Sequence, residues 1–406
     1  KSWVIALCGG LFYGYQFILR VSPNMMTNEL MEAFSVDATQ LGVIIACYYY
    51  AYATAQIPLG VSMDKYGPKR LLTLAAFVCG LSCYAFSIAS NFYLAATARA
   101  LMGLGSACGF LGTLKLGTIW LPPSHIGRVI ALTMVMGTLG ATLGGAPFEY
   151  TINTLGWRLS LQMLGIAGLF IAGLIYFVVE DDAPSPIERR KSTNSWHKLK
   201  TIVVNPQSWV IGLFGMLMYV PLTIVGDLWG VSFISTKYHI SEAQAALFIT
   251  TMFIGVAVGS PFMSYLSDYK RTRRLPMMIG AVSTTLIYAL IIMLPHLPFF
   301  LLGFAFFAVG FLFNGQCLCF ASASEINPRE ASGTAIGFTN MVVMGSGVIG
   351  HPIVGKLLDL KWDGTMANGV PVYSTSNYEW ALLFVPACLL MAIFMVFMMK
   401  ETYPKP

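Results

Sequence analysis

The stretch PLGVSMDKYGPKR, residues 58–70, follows a long apolar run and places Asp64 five and six residues ahead of Lys69 and Arg70. The pattern returns far downstream. In PFMSYLSDYKRTRR, residues 261–274, Asp268 stands at the same distances before Arg273 and Arg274, an offset of 204 residues. The leading prolines, Pro58 and Pro261, are 203 apart, so the match slips there by one. A second correspondence is independent of the first: Gly140, Pro147 and Trp157 are echoed by Gly345, Pro352 and Trp362 at an offset of 205. Two correspondences at nearly one offset point to a duplicated unit of about half the chain.

Composition says what kind of unit this is. Of 406 residues, 56% are hydrophobic and 10% charged, where a soluble domain needs roughly 25% charged residues to clothe its surface. Apolar runs of about 20 residues are long enough to span a bilayer, and twelve are present, near 4–33, 38–63, 71–90, 93–121, 127–153, 158–179, 207–235, 242–267, 275–294, 297–321, 331–357 and 379–399. Only one long polar stretch interrupts them mid-chain, DDAPSPIERRKSTNSWHKLK. The expected organisation is an N-terminal six-helix bundle (1–180), a cytoplasmic linker (181–206) and a C-terminal six-helix bundle (207–406). Six spans per unit return the chain to its starting side, so the copies run in parallel. With both termini cytoplasmic, seventeen Lys and Arg lie on the cytoplasmic side and four outside, Arg158, Lys237, Lys356 and Lys361. That is the bias a bacterial inner-membrane protein should show. The net charge of +6 then reflects loops facing anionic lipid and needs no nucleic-acid partner. The eight cysteines all fall in apolar runs and read as small membrane-embedded hydrophobes. No metal-ligand spacing or cofactor motif is present, and a monomer is expected.

The loop segment GVSMDKYGPKR resembles the signature between the second and third helices of the major facilitator superfamily through Gly60, Asp64, Gly67, Lys69 and Arg70. RALMGLGSA is similar to that superfamily's fourth-helix motif through Arg99, Gly103 and Gly105. YQFILRVSPNMM, LGTLKLGTIWLPP around Lys115, and EINPREASGTAIGFTNMVV around Glu325 and Asn340 resemble a bacterial branch that includes phagosomal nutrient transporters. The resemblance implies an all-α integral membrane fold of two pseudo-symmetric six-helix bundles. It also implies alternating access to a central site. Gly60, Asp64, Gly67, Lys69, Arg70 and Asp268 become candidates for a cytoplasmic gate. The second copy is degenerate, with Ser264 and Arg271 where glycines are expected; a plain polar turn obeying the charge bias is the alternative for both loops.

Three cations lie within spans. Arg20 is sixteen residues from Val4 and ten from Leu30, about 24 and 15 Å along a continuous helix, too deep for its side chain to reach either interface. Such a residue faces a cavity or a partner. Tyr13, Gln16, Arg20 and Asn24 form a polar stripe at helical spacing, which makes Tyr13, Gln16 and Arg20 solute-contact candidates. A structural cation paired inside the bundle is the competing reading. Asp227 on span 7 falls, by the repeat offset, within a turn of the position equivalent to Arg20. It is a candidate proton carrier or a partner for Arg20, with a helix-end salt bridge as the alternative. Arg99 and Lys115 are sixteen residues apart on span 4, about 160° around a straight helix, so both face one cavity only if the helix bends. Arg99 is weighed for proton coupling and Lys115 for solute binding, each against a structural role. Tyr49, Tyr52 and Gln56 share a face of span 2 and can wall a small polar ligand. Asn340 and His351 lie along one line of span 11; His351 can titrate near neutral pH or tie two helices together. Glu325 reads as a latch partner.

Function follows as an expectation. A secondary transporter importing a small anionic or zwitterionic solute, an amino acid or organic acid, is favoured, driven by a proton gradient with sodium as the alternative. An exporter of a drug or a siderophore-like metabolite is the second reading, weakened because Ala141 replaces the proline of the exporter motif. A membrane sensor or an enzyme has neither a soluble domain nor a catalytic constellation to support it.

Overall fold

A computed structural model describes residues 2–121, 125–180, 195–328 and 331–403. Among these the chain is almost entirely helical. The helices are α1 (Ser2–Val21), α2 (Thr27–Phe34), α3 (Ala38–Tyr66), α4 (Pro68–Ser87), α5 (Phe92–Ser106), α6 (Cys108–Trp120), α7 (Ile126–Leu143), α8 (Ala146–Leu155) and α9 (Trp157–Val178). They continue as α10 (Ser195–Val204), α11 (Pro206–Val220), α12 (Gly230–Tyr238), α13 (Glu242–Lys270), α14 (Arg274–Met293), α15 (Phe299–Phe313), α16 (Leu318–Ile326), α17 (Ser332–Leu360), α18 (Thr375–Leu382) and α19 (Phe384–Met398). One short hairpin pairs β1 (Met366–Ala367) with β2 (Val370–Pro371). The architecture is all-α: among the described residues ten helical stretches are long and apolar enough to cross a membrane, eleven if the bent pair α2–α3 is one span, and several are built from two helices. In hydrocarbon every backbone polar group must be satisfied within its own segment, which is why the apolar runs become helices. Phe170, Phe177, Phe300 and Phe394 stand exposed, as side chains facing lipid do.

The chain divides into two compact units, residues 1–26 with 47–195, and residues 27–46 with 196–406. In the first, α4 packs on α9 and α1 on α7. The α1–α7 approach depends on glycine: a Cβ on Gly140 would collide with the Gly14 carbonyl, and one on Gly14 would come within 2.7 Å of the Met136 carbonyl. In the second unit α13 packs on α15, and α11 on α17 and α19. There α10 lays Ile202 against Ala331, Ala335, Phe338 and Val342, so the expected linker region contains a docked helix. Residues 181–194 of that linker lie outside the described residues.

The first amides of α3 show how completely an end can be capped. Ala38 N–H donates to the Tyr373 hydroxyl (3.0 Å), Thr39 N–H to Asp359 Oδ2 (2.8 Å) and Gln40 N–H to Asp37 Oδ1 (2.8 Å). Leu41 N–H begins the regular ladder on the Asp37 carbonyl. With Asp37 N–H donating to Gln40 Oε1 at 3.2 Å, all four amides that a helix start leaves open are satisfied.

Several spans expected to be continuous are broken. Span 1 does not run to residue 33: α1 ends at Val21, Ser22–Met25 forms a 3-10 turn, and α2 follows separately. Pro23 is the cause, because it lacks the N–H that would bond to the Leu19 carbonyl. Asn24, expected on the stripe of span 1, sits instead in that turn. Arg20 therefore lies in the last turn of its helix. Span 4 breaks at Ala107, between α5 and α6, and span 5 at Gly144 and Gly145, between α7 and α8. Span 10 carries a 3-10 turn at Asn314–Cys317. Span 7 is π-helical over Pro221–Trp229, closed by Gly230 N–H on the Val225 carbonyl; π segments concentrate at functional sites. The irregular segments of spans 1 and 7 correspond, since residues 22–25 and 226–229 are related by the offset of 204.

Candidate functional site

In the first unit the side chains gather around the broken end of α1. Arg20 is 6% exposed. Its Nε donates to the Tyr49 hydroxyl at 2.9 Å, and its guanidinium lies 5.3 Å from the centre of the Phe17 ring and 5.2 Å from that of Tyr49. Phe17 in turn meets Tyr13 edge-on at 5.1 Å, and Tyr13 tilts against Phe110 at 5.8 Å. Gln16 is buried, and a Cβ on Gly109 would come 3.4 Å from its amide carbon, so the start of α6 is pressed against the α1 stripe. Gln56 donates to the carbonyl of Ala107, the residue at the α5–α6 break, at 3.4 Å. Tyr52 stacks on Tyr48 at 6.1 Å. Tyr13, Gln16, Arg20, Tyr49, Tyr52 and Gln56 are thus brought into one neighbourhood.

Arg99 is 1% exposed. Its Nη1 donates to the Leu19 carbonyl at 2.9 Å, and its guanidinium covers the Tyr48 ring at 5.0 Å. Ser22 Oγ reaches the same carbonyl at 3.2 Å. Gly103, one turn beyond Arg99, is needed for this approach, since a Cβ there would collide with the Tyr48 backbone carbonyl. Lys115 lies on α6, half-buried and on the far side of the break from Arg99.

The second unit holds the other candidates. Asp227 is 1% exposed within the π segment. Thr223, on the same segment, shares a hydrogen bond with Ser346 of α17 at 3.0 Å, and Thr27 Oγ1 donates to the Leu228 carbonyl at 3.0 Å. His351 is fully buried on α17, where Gly42 packs against its backbone carbonyl. Asn340 is half-buried three turns earlier.

At the loop between α13 and α14, Arg273 is the hub. Its Nη1 pairs with Asp268 at 3.1 Å and its Nη2 with Glu325 at 2.7 Å. Burial works to lower its pKa, but the hydrogen bond and charge of Glu325, with Asp268, raise it further. The C-terminal segment completes the cluster. Glu401 accepts from the backbone N–H of Arg273 (2.8 Å) and Arg274 (3.3 Å), Thr402 donates to Glu325 (2.9 Å), and Tyr403 lies 4.8 Å under the Arg273 guanidinium. In the first copy, Gly67 takes φ +81° as the N-cap of α4 and Lys69 lies 5.3 Å over Tyr176. Arg70 opens α4. The side chain of Asp64 and the surroundings of Gly60 lie outside the described residues. Lys237, counted in the sequence among outer-side cations, is not a free surface charge: its Nζ sits 2.8 Å from Glu379 and donates to the carbonyls of Ile291 and Ile292 at the end of α14.

A sequence profile of the Major Facilitator Superfamily matches residues 5–350 and 224–406. The chain belongs to the Major Facilitator Superfamily. It is 25% identical over 401 residues to a probable hexose phosphate transport protein of Chlamydia pneumoniae, covering 90% of this chain and 87% of the relative. It is 24% identical over 297 residues to a probable sulfoacetate transporter of Cupriavidus necator, covering 67% and 66%. Its fold matches a bacterial homologue of the human lysosomal transporter Spinster with a TM-score of 0.80 at 15% identity, covering 98% of this chain and 96% of that one. The family and the solved structures it matches are transporters, and the protein is a transporter and not an enzyme.

Four groups in this superfamily member are not evident from the sequence. Phe17 and Tyr48 looked like ordinary apolar wall, although Phe17 stands one turn before Arg20 and Tyr48 directly precedes Tyr49. The Leu19 carbonyl carried one usable signal, a proline four residues later. Glu401 had none, because its partner loop is 128 residues away in sequence.

Proposed function

We propose that this protein is a secondary transporter of a small organic anion, with Arg20 as the group that receives the anionic moiety. One observation carries the reading: a buried guanidinium at the broken end of α1, held by the Tyr49 hydroxyl and against two aromatic faces. A desolvated arginine presents a planar donor fork to carboxylate, sulfonate or phosphate oxygens. The named solutes of the two relatives, a hexose phosphate and sulfoacetate, share that chemistry, which favours an organic anion over a zwitterionic amino acid. Tyr13, Gln16, Tyr52, Gln56, Lys115 and Asn340 are the proposed further contacts. Transport proceeds by alternating access, with Gly60, Asp64, Gly67, Lys69, Arg70 and Asp268 in the cytoplasmic gate. The protein works as a monomer in a bacterial inner membrane with both termini cytoplasmic.

The driving ion in this proposal is a proton carried by Asp227. A buried carboxylate in an irregular helix segment changes its proton occupancy when its surroundings change, and buried His351 is a second candidate for proton coupling on the same unit. Asp227→Asn is expected to retain binding and lose accumulation driven by a pH gradient.

The test is a thermal-shift screen of purified protein against glucose 6-phosphate, glucuronate, sulfoacetate, amino acids and nucleosides, followed by uptake into proteoliposomes. An organic anion should stabilise the wild type and fail to stabilise folded Arg20→Gln. Stabilisation by uncharged nucleosides with no anionic hit, or an anionic hit that survives Arg20→Gln, would overturn the assignment. Binding without uptake would instead favour a sensor.

A further inference from the structure

We infer that Arg99 is a positioning residue: it replaces the backbone hydrogen bond that Pro23 removes from α1 and thereby sets the direction of Arg20. The inference builds on Arg20 being the anion-binding group, but its test needs no solute, so the two can fail separately.

In an unbroken helix the Leu19 carbonyl accepts from the N–H of residue 23. Pro23 has none. A buried carbonyl left without a partner costs about 1–3 kcal/mol, and the helix end would gain by unwinding to hydrate it. Arg99 Nη1 meets that carbonyl at 2.9 Å with a charged donor, and Ser22 Oγ adds a weaker bond at 3.2 Å. Arg20 is the next residue along, so the peptide plane Arg99 holds is the one that joins Leu19 to Arg20.

The same arginine fixes the other side. Its guanidinium covers Tyr48 at 5.0 Å, and the residue after Tyr48 is Tyr49, whose hydroxyl accepts from Arg20. Arg99 therefore grips the first member of two dipeptides, Leu19–Arg20 on α1 and Tyr48–Tyr49 on α3. The second members bond to each other. Gly103 lets α5 come close enough for this, being the position where a Cβ would strike the Tyr48 carbonyl. Arg99 acts on Arg20 through the Leu19 carbonyl and the Tyr48 ring.

The prediction is a specific rescue. Arg99→Met removes the donor; Pro23→Ala restores an N–H at residue 23 that can bond to Leu19. The rate of modification of Arg20 by phenylglyoxal, read by mass spectrometry of the peptide that contains it, reports how firmly the guanidinium is held. In Arg99→Met it should rise about tenfold, the scale of losing one hydrogen bond to a charged group, while Arg158 modification stays at the wild-type rate. Arg99→Met/Pro23→Ala should bring Arg20 back to within about twofold of wild type, and the melting temperatures of the four proteins should show non-additive coupling. If Arg99→Met does not fold alone, recovery of folded double variant supports the inference. Unchanged Arg20 modification in folded Arg99→Met, additive melting temperatures, or a double variant no better than Arg99→Met would overturn it.

Discussion

Arg20 Nε donates to the Tyr49 hydroxyl at 2.9 Å, joining the last turn of α1 to α3. The bond couples a charged donor to a neutral acceptor and helps orient the guanidinium. Tyr49→Phe keeps the ring and deletes the acceptor. For a solute identified by the screen above, it should raise KM about tenfold with kcat within about twofold, the scale expected for a lost hydrogen bond to an ion. Uptake kinetics in proteoliposomes check this. An unchanged KM would show that Tyr49 does not orient the site.

The duplication predicts a stabilising substitution. Gly67 and Arg271 are separated by 204 residues, the offset of the repeat, and both have positive φ, +81° and +50°. A left-handed backbone costs a residue with a side chain about 1 kcal/mol relative to glycine. Arg271→Gly should therefore stabilise the protein by about 1 kcal/mol and raise its melting temperature by about 1–2 °C, whereas Gly67→Ala should lower it. Thermal unfolding in one detergent reads both.

Acid should loosen the C-terminal segment. Partial burial works to raise the Glu401 pKa, but hydrogen bonds from the Arg273 amide, Thr272, and the Tyr403 and Arg274 amides outweigh it, taking the group from 4.5 to about 2. A carboxyl depressed on folding contributes fully above its unfolded pKa and loses that contribution as pH falls through the folded value. Protection of the Arg273 and Arg274 amides from hydrogen exchange, corrected for intrinsic rates, should hold above pH 4.5 and decline toward pH 2. Glu401→Gln should show weakened protection already at pH 7. Equal protection in variant and wild type would mean that Glu401 does not cap this loop.

At the start of α3, Asp359 accepts from both the amide and the hydroxyl of Thr39, and Tyr373 donates to the same carboxylate. Burial, with the Asp359 hydrogen bond, pushes the Tyr373 hydroxyl upward, so it remains a donor at any physiological pH. Asp359→Ala removes a helix cap worth about 1 kcal/mol. Exchange of the Thr39 amide should accelerate about fivefold, with the Gln40 amide, held by Asp37, affected less. Equal acceleration at both would mean that the helix end frays as one piece and that Asp359 has no local role.

What the sequence determined by itself was the architecture. Membrane insertion follows from composition, because too few charges exist to clothe a water-facing surface. The repeat follows from Asp64 and Asp268 at one offset, and the superfamily from the loop motif that contains Asp64. Periodicity also put Tyr13, Gln16 and Arg20 on one face, since three residues within two turns of a regular helix keep their relative directions. Tertiary structure decided the rest. That α1 stops at Val21 depends on Pro23, which the sequence displays, but what heals the break is a side chain 80 residues further on. Span 7 reads as an ordinary apolar helix and becomes a π segment around Asp227. Glu401 finds Arg273 only when the final helix has returned to the loop before α14. Hydrophobic pattern is a property of a segment and survives in the string of letters; a hydrogen bond between segments exists only once packing has set the distance between them.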